Sequence, residues 1–195
     1  MPRSGEDARR RLQKAALELY YERGYDQTTT AEIAARAGLT ERTFFRHFPD
    51  KREVLFDGTA PMSAIFKTAL DEAPTKLSSL EALFLAFRAV EPIFENNRPF
   101  AGRRQKVIDR TPALQERELA KGAQLTAVLI EGLRRRGVQE RLATLVAQTG
   151  MAVFSHAVSS WIDDPSEGLD AHLVRAFKEL NSLTSTRIKA GPNVR

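Results

Sequence analysis

The chain has 195 residues, enough for one domain or two small ones with a sizeable buried core. Lys and Arg number 30 against 25 Asp and Glu, and a net charge of +5 points only weakly to an acidic partner. The composition (42% hydrophobic, 28% charged, no cysteine) is that of a globular protein and excludes disulfides and thiolate chemistry. Three histidines (His47, His156 and His172) lack metal-ligand spacing, so no metal site is expected.

The first predicted helix follows a polar N-terminus that contains no apolar run, so a signal peptide is not expected. Its apolar stripe runs from Leu12 to Tyr20 with the i, i+3, i+4, i+7 spacing of an amphipathic helix. Gly24 can take the left-handed conformation that ends a helix. Tyr25 is then expected to fold back against Tyr20.

A helix-turn-helix is predicted over about residues 30–49. Thr29 and Glu32 have the spacing of a capping box, which would open a short second helix. A tight turn at Gly38 follows, and Thr40 is placed to cap a third helix. Two short helices joined by a glycine-containing turn form the usual helix-turn-helix motif.

The third helix is predicted to expose one polar face. Phe44 and Phe48 are four residues apart and should face the core. The opposite surface then carries side chains that bind phosphates and base edges in a major groove, namely Arg42, Thr43 and Arg46 with Phe45 and His47 on the flanks.

These ordered positions resemble the TetR family of bacterial transcriptional regulators. The resemblance covers about residues 8–56 and is carried by Glu22-Arg23-Gly24-Tyr25, Thr28-Thr29-Thr30-Ala31-Glu32-Ile33-Ala34, Ala37-Gly38-Leu39-Thr40 and Thr43-Phe44-Phe45-Arg46-His47-Phe48-Pro49-Asp50-Lys51. It implies an all-α protein. A three-helix DNA-binding domain would occupy residues 1–57, and a larger helical domain for ligand binding and dimerisation would occupy residues 58–195.

The resemblance also implies which side chains meet DNA. Glu41, Arg42 and Thr43 would meet base edges, and a second group would lie against the sugar-phosphate backbone, namely Thr29, Thr30, Thr40, Phe45, His47 and Lys51. Two positions depart from the family pattern. Phe45 lacks the hydroxyl of the usual tyrosine, and Arg42 stands where a small residue is common and could pair bidentately with guanine. A packing role for Phe45 and an unliganded surface position for His47 remain alternatives.

Beyond residue 57 the pattern predicts longer helices. One would be capped by Ser78-Ser79-Leu80-Glu81 and run to Phe94. Another would end near Leu133, and a last one would follow Asp164-Pro165. The stretch 142–162 carries no charge and is long enough to cross a bilayer. Because polar residues are scattered through it rather than gathered at its ends, we predict a helix buried in protein, and a soluble, cytoplasmic protein without a membrane partner.

In this second region the resemblance implies a ligand pocket and a dimer interface. Pocket candidates are Phe84, Phe87, Arg88, Phe94, Phe100, Gln148 and Met151. Interface candidates are Phe154, Val158, Trp161, Leu173, Phe177 and Leu180. For each of these residues an ordinary core position is the alternative interpretation.

The function implied is that of a homodimeric repressor that binds a near-palindromic DNA operator and responds to an unknown small hydrophobic or amphipathic effector. No motif of an enzyme or a cofactor-binding loop occurs, so neither catalysis nor a cofactor is expected. Residues 1–56 carry a net charge of only +2, so the DNA-binding prediction depends on positions rather than on charge. Two alternatives are a constitutive DNA-binding dimer without a ligand, and a small-molecule-binding protein that has lost its DNA contacts.

Overall fold

A computed structural model describes residues 3–184 of the chain, with side chains for residues 5–183. Within this range the secondary structure is helical and contains no strand, so the predicted all-α fold is confirmed. The α-helices are α1 (Arg3–Arg23), α2 (Thr30–Arg36), α3 (Glu41–His47), α4 (Thr59–Glu72), α5 (Ser79–Ala89), α6 (Glu91–Asp109), α7 (Pro112–Arg135), α8 (Glu140–Asp163) and α9 (Leu169–Thr184). A 3-10 helix, Glu53–Leu55, lies between α3 and α4.

The chain forms two compact units. Unit 1 comprises the described residues up to Ala64 together with Asn96–Leu125, and unit 2 comprises Ile65–Glu95 and the described residues from Thr126 onwards. The boundaries fall inside α4, α6 and α7. The sequence-derived boundary after residue 57 therefore lies within unit 1, and the division of function at that point stays a prediction.

Unit 1 is built around the buried stripe of α1. Leu12, Ala16 and Leu19 are almost completely inaccessible and pack in one core with Ile33 of α2 and Phe44 of α3. The same core includes three residues from α6 and α7, which are Val107, Ile108 and Leu114. The helix-turn-helix is thus supported by residues that lie more than fifty positions further along the chain.

Unit 2 has an aromatic core. The rings of Phe87 and Phe154 stack with their centres 4.7 Å apart, and Phe66 meets both rings edge-on. Phe94 contacts Phe154 and Trp161 in the same edge-to-face manner. Edge-to-face and offset contacts are the favourable geometries for aromatic pairs, so this cluster contributes both burial and oriented contacts to α5, α6 and α8.

The helix predicted to run from Ser78 to Phe94 is two helices. The capping box of Ser78 and Glu81 is present as predicted, but α5 ends at Ala89 and α6 begins at Glu91. Pro92 has no N–H to donate to the carbonyl of Arg88, so the hydrogen-bond ladder cannot continue through this point. Phe94 consequently lies on α6.

Helix α8 is buried along one face. Among the described residues it is the helix whose length and composition would allow it to cross a membrane. Ala143, Ala147 and Phe154 are buried within unit 2, whereas Leu142 and Leu145 on another face are 51% and 61% exposed. The prediction of a helix buried in protein therefore holds for only part of its circumference.

Candidate nucleic-acid interface

Helix α2 begins at the predicted capping box. The Thr29 hydroxyl accepts a hydrogen bond from the Glu32 amide at 3.2 Å, and the Glu32 carboxylate accepts one from the Thr29 amide at 2.9 Å. Reciprocal bonds of this kind satisfy amides that a helix N-terminus leaves free. The backbone amide and the side-chain hydroxyl of Thr29 both donate to the Glu32 carboxylate and stabilise its ionised form, which lowers the pKa of Glu32.

The turn after α2 depends on Gly38 and on Arg11. Gly38 has a φ of 65°, in the left-handed region that glycine adopts without strain, and the Leu39 amide donates to the Ala34 carbonyl at 2.8 Å. The Arg11 guanidinium donates to the carbonyls of Ala37 and Gly38. A Cβ on residue 38 would lie 2.7 Å from Arg11 Nη2. Arg11 therefore fixes the turn from α1, a role that its place in an arginine run does not indicate.

Helix α3 presents the predicted exposed face. Phe44 and Phe48 are buried in the core of unit 1, as expected, while Arg42 and Arg46 are exposed. Phe45 is 53% exposed and rests edge-on against Phe44, with ring centres 5.5 Å apart. Within residues 3–184 Arg42 forms no ion pair, so its guanidinium extends from a rigid support toward solvent.

Four of the predicted DNA-contacting side chains lie together at the start of α3. Thr40 caps the helix by accepting from the Thr43 amide at 3.2 Å, and the two threonine hydroxyls are 3.0 Å apart. The Thr30 hydroxyl donates to Glu41 Oε1 at 2.5 Å. Glu41 is thus oriented by α2, and these contacts define one polar end of the helix-turn-helix.

His47 lies at the C-terminal end of α3, next to Arg9 of α1. Burial, together with the positive charges of Arg46 and Arg9, lowers the pKa of His47. Its Nε2 is enclosed and has no hydrogen-bond partner among the described residues. Arg9 pairs with Asp57, lies 5.0 Å from the centre of the Phe48 ring and donates to the His47 carbonyl. A phosphate could therefore not reach the ring through Nε2.

Lys51 contacts the α1–α2 connection, and its predicted phosphate contact stays a prediction. Its ammonium donates to the carbonyls of Tyr25 and Thr28, each at 2.9 Å, and lies 4.2 Å from the centre of the Tyr25 ring. The Tyr20 hydroxyl in turn donates to the Lys51 carbonyl at 2.6 Å. The charge is directed into the α1–α2 connection, where the Tyr25 carbonyl also accepts a hydrogen bond from the Thr28 amide at 3.2 Å.

The pocket candidates are only partly brought together. Phe84, Phe87 and Phe94 lie in the aromatic core of unit 2, with Phe84 edge-on to Phe177 at 5.1 Å. Met151 is half-buried, but Gln148 is exposed and Arg88 is an exposed partner of Asp170. Phe100 belongs to unit 1.

Most interface candidates are buried by their own chain. Phe154, Trp161, Leu173 and Phe177 are each at most 9% exposed within unit 2, so their own chain covers them. Apolar periodicity predicts that a face is buried but not which chain covers it, and the predicted interface role of these residues stays a prediction. Val158 and Leu180 are half-buried, and the large exposed apolar residues of the described part of the last two helices are Leu142, Leu145 and Leu183.

Comparison with known proteins agrees with this geometry. Residues 12–57 match the family described as "Bacterial regulatory proteins, tetR family", and residues 77–184 match the "MftR C-terminal domain". The first match spans α2, α3 and the turn between them, and the second spans α5 to α9.

Among curated relatives, the chain is 26% identical over 186 residues to MftR of Mycobacterium tuberculosis, a regulator assigned to mycofactocin biosynthesis, covering 91% of this chain and 94% of MftR. It is 28% identical over 173 residues to the transcriptional repressor BepR of Brucella suis, covering 80% and 81%. It is 40% identical over 82 residues to the regulator TcmR of Streptomyces glaucescens, a match that spans 42% of this chain and only 36% of TcmR.

Among solved structures, FadR of Thermus thermophilus, a TetR-family repressor in complex with lauroyl-CoA, superposes with a TM-score of 0.56. The identity is 21%, over 95% of this chain and 99% of that one, so the likeness concerns the fold. The two family matches together cover the helix-turn-helix and more than half of the chain. The chain belongs to the TetR family of helix-turn-helix transcriptional regulators.

Proposed function

We propose that the protein is a homodimeric repressor that binds a near-palindromic operator and releases it when an effector binds. The observation that carries this proposal is the face of α3, on which Arg42, Phe45 and Arg46 are exposed while Phe44 and Phe48 fix the helix in the core of unit 1. A short helix with a rigid inner face and a polar outer face can enter a major groove without losing its support. A repressor of this kind would act in the cytoplasm.

On the operator, the first turn of α3 would meet the bases. Arg42 is long enough to donate two hydrogen bonds to O6 and N7 of a guanine, while Glu41 and Thr43 flank it. Thr29, Thr30, Thr40 and the ring of Phe45 would lie against the sugar-phosphate backbone. Because the net charge of residues 1–56 is only +2, affinity would depend on these placed contacts more than on general attraction.

The exposed face of α8 supports the proposed dimer. Leu142, Leu145, Ala152 and Ser159 recur at intervals of three, seven and seven residues, and each is exposed. Residues at these intervals face the partner helix when two helices pack side by side in a coiled coil. The face carries no charged residue over five helical turns. Small side chains at Ala152 and Ser159 would let two copies of α8 approach closely. This face replaces the buried residues first considered.

The effector would bind in unit 2. Its aromatic core offers apolar surface, and half-buried Phe84, Phe94 and Met151 are placed to meet an apolar chain. Lauroyl-CoA, the ligand in the structure of Thermus thermophilus FadR, is a suitable first probe because it joins an apolar chain to a polar group.

A constitutive DNA-binding dimer is the second candidate function. The observation that favours it is the close packing of the predicted pocket. Phe87 is completely buried and stacks on Phe154, and a Cβ on Gly150 would lie 2.7 Å from Leu83 Cδ1. An effector entering here would have to displace these side chains.

Selection of bound genomic fragments tests the DNA-binding half of the proposal. The full-length protein is mixed with sheared genomic DNA, bound fragments are sequenced, and each is retested by gel shift. We expect a two-fold symmetric sequence whose half-sites are separated by whole helical turns. Failure to enrich any fragment would contradict DNA binding.

The effector-binding half of the proposal is tested on the complex of the protein with its operator DNA. Trp161 is the single tryptophan, is buried in unit 2 and contacts Phe94, so its fluorescence reports on this core. Lauroyl-CoA and a series of free fatty acids are titrated while fluorescence and operator binding are followed, with Trp161→Phe as the optical control. Release of DNA together with a fluorescence change supports the repressor. Unchanged DNA binding across the series favours the constitutive dimer.

A further inference from the structure

Three side chains of metal-binding type meet where α8 ends and α9 begins. One carboxylate oxygen each from Asp164 and Glu167 and a ring nitrogen of His172 all lie within 4.8 Å of one another. Asp164 is the C-terminal cap of α8, Glu167 lies in the connection, and His172 is the fourth residue of α9. A single short segment thus brings together two carboxylates and an imidazole.

His172 gives this cluster its significance. The side chain is only 2% exposed, and neither of its ring nitrogens has a hydrogen-bond partner within residues 3–184. A neutral imidazole has one donor and one acceptor, and burying both without partners is unfavourable. An ion bound to one ring nitrogen would remove part of that cost. A buried histidine directed at two carboxylates therefore points to a cation.

The distances suit an ion after a small contraction. Oxygen and nitrogen ligands lie about 2.0–2.2 Å from Zn²⁺, so tetrahedral ligand atoms are roughly 3.4 Å apart. Asp164 Oδ1 already accepts from the amide and the hydroxyl of Ser166, which fixes the carboxylate and leaves its second oxygen for an ion. Glu167 is exposed and can move the remaining distance.

The surroundings are acidic, with one competing cation. A Cβ on Gly168 would lie 3.6 Å from Glu95 Oε1 and 3.9 Å from Glu91 Oε1, so two further carboxylates approach the same connection. Arg175 forms an ion pair with Glu167. Metal binding would therefore have to draw Glu167 away from Arg175, and removal of that arginine should strengthen the site.

We propose that Asp164, Glu167 and His172 bind one divalent transition-metal ion, of the chemical class of Zn²⁺, at the α8–α9 connection. One imidazole and two carboxylates suit ions of intermediate hardness, whereas Ca²⁺ and Mg²⁺ prefer ligand sets made of oxygen alone. The bound ion would join the end of α8 to the start of α9. Such a site belongs to unit 2, whereas α3 belongs to unit 1, and it would add a second ligand to the protein.

Calorimetry on the full-length protein tests the proposal. The protein is freed of metal with a chelator and titrated with ZnCl₂, and in parallel with MnCl₂ and MgCl₂. We expect saturation at one Zn²⁺ per chain and much weaker binding of Mg²⁺. Asp164→Asn and Glu167→Gln should each weaken Zn²⁺ binding about tenfold or more, and Arg175→Met should tighten it.

The controls separate this site from surface histidines and from misfolding. His156→Asn removes an exposed histidine of α8 and should leave Zn²⁺ binding unchanged. His172→Gln is expected to abolish binding, but the position is buried, so the partly exposed Asp164 and Glu167 carry the test if that variant does not fold. Absence of saturable binding, or equal Zn²⁺ affinity in the wild type and both carboxylate variants, would overturn the proposal.

Discussion

The ammonium of Lys51 lies over the ring of Tyr25 and donates to the backbone carbonyl of the same residue. A second hydrogen bond reaches the Thr28 carbonyl, so one side chain closes the connection between α1 and α2. We expect Lys51→Met to lower the free energy of unfolding by about 1.5–3 kcal/mol, since charge-assisted hydrogen bonds are lost. Urea denaturation followed by circular dichroism measures the change.

The same variant distinguishes a structural role from a phosphate contact. If Lys51 holds the loop, the slope of log affinity against log salt concentration is unchanged in the folded variant. A slope reduced by about one would instead show that Lys51 neutralises a phosphate in the complex. Lys14→Met, on the exposed side of α1, is the control for stability.

Replacement of Arg42 tests base recognition by α3. Arg42→Ala should weaken operator binding by about 1–3 kcal/mol and relax the preference for guanine at one position of each half-site, because a bidentate contact is lost. The fold should be unaffected, since the side chain is exposed and forms no ion pair within the described chain. Gel shifts on single-base operator variants measure both effects. Arg134→Ala, near the end of α7, is the matched arginine control, and equal loss on all operators would argue for a phosphate contact.

The carboxylate of Glu53 should make unit 1 sensitive to acid. Burial raises the pKa of Glu53, but hydrogen bonds from Arg117 and Lys121 outweigh it and place the pKa below the ordinary 4.5. A lowered pKa in the folded state stabilises the protein above about pH 4.5, and this contribution disappears as the pH falls through the folded-state pKa. Glu53→Gln should therefore be less stable at pH 7 by about 1–3 kcal/mol.

Thermal unfolding between pH 3 and pH 7 checks this expectation. The stability difference between wild type and Glu53→Gln should shrink on acidification, because the wild-type carboxylate is then protonated. Glu116→Gln, an exposed change on α7, should show no such convergence. A pH-independent difference would mean that the charge of Glu53 is not what the two cations recognise.

A charge on the exposed face of α8 should separate the dimer. Leu145→Glu places a carboxylate within the proposed seam, where burial without a partner is costly. Light scattering should show a monomer with the helical content of the wild type. Leu119→Glu changes a leucine that is 76% exposed on α7 and should leave the dimer intact. A dimeric Leu145→Glu variant would require a different interface.

Features set by neighbours in sequence were predictable. The capping boxes of Thr29 with Glu32 and Ser78 with Glu81 join residues three positions apart, and both are present. Tyr25 folds back so that its ring centre lies 5.2 Å from that of Tyr20, as its place after Gly24 indicates. In each case the partner lies within one or two helical turns, so the spacing alone carries the information.

Features set by distant residues were not predictable. Arg11 and Lys51 find carbonyl partners 23 to 27 positions away, and an isolated basic side chain gives no sign of such a partner. Phe154 and Phe177 show the same difficulty, because a periodic apolar residue can be covered by its own chain or by another. The position of α3 could thus be predicted from the sequence. The partners of the side chains around it, such as Arg11 and Lys51, could be identified only from the tertiary structure.

The core that unit 1 shares with Val107, Ile108 and Leu114 limits how such a regulator can be recombined. A hybrid that joins residues 1–57 to a foreign sensor would discard these three side chains and leave the inner faces of α1 and α3 open to water. Unit 1 is compact in space, but two separate stretches of the chain form it. Exchange of sensors between regulators of this kind must therefore carry α6 and the first half of α7 together with the helix-turn-helix.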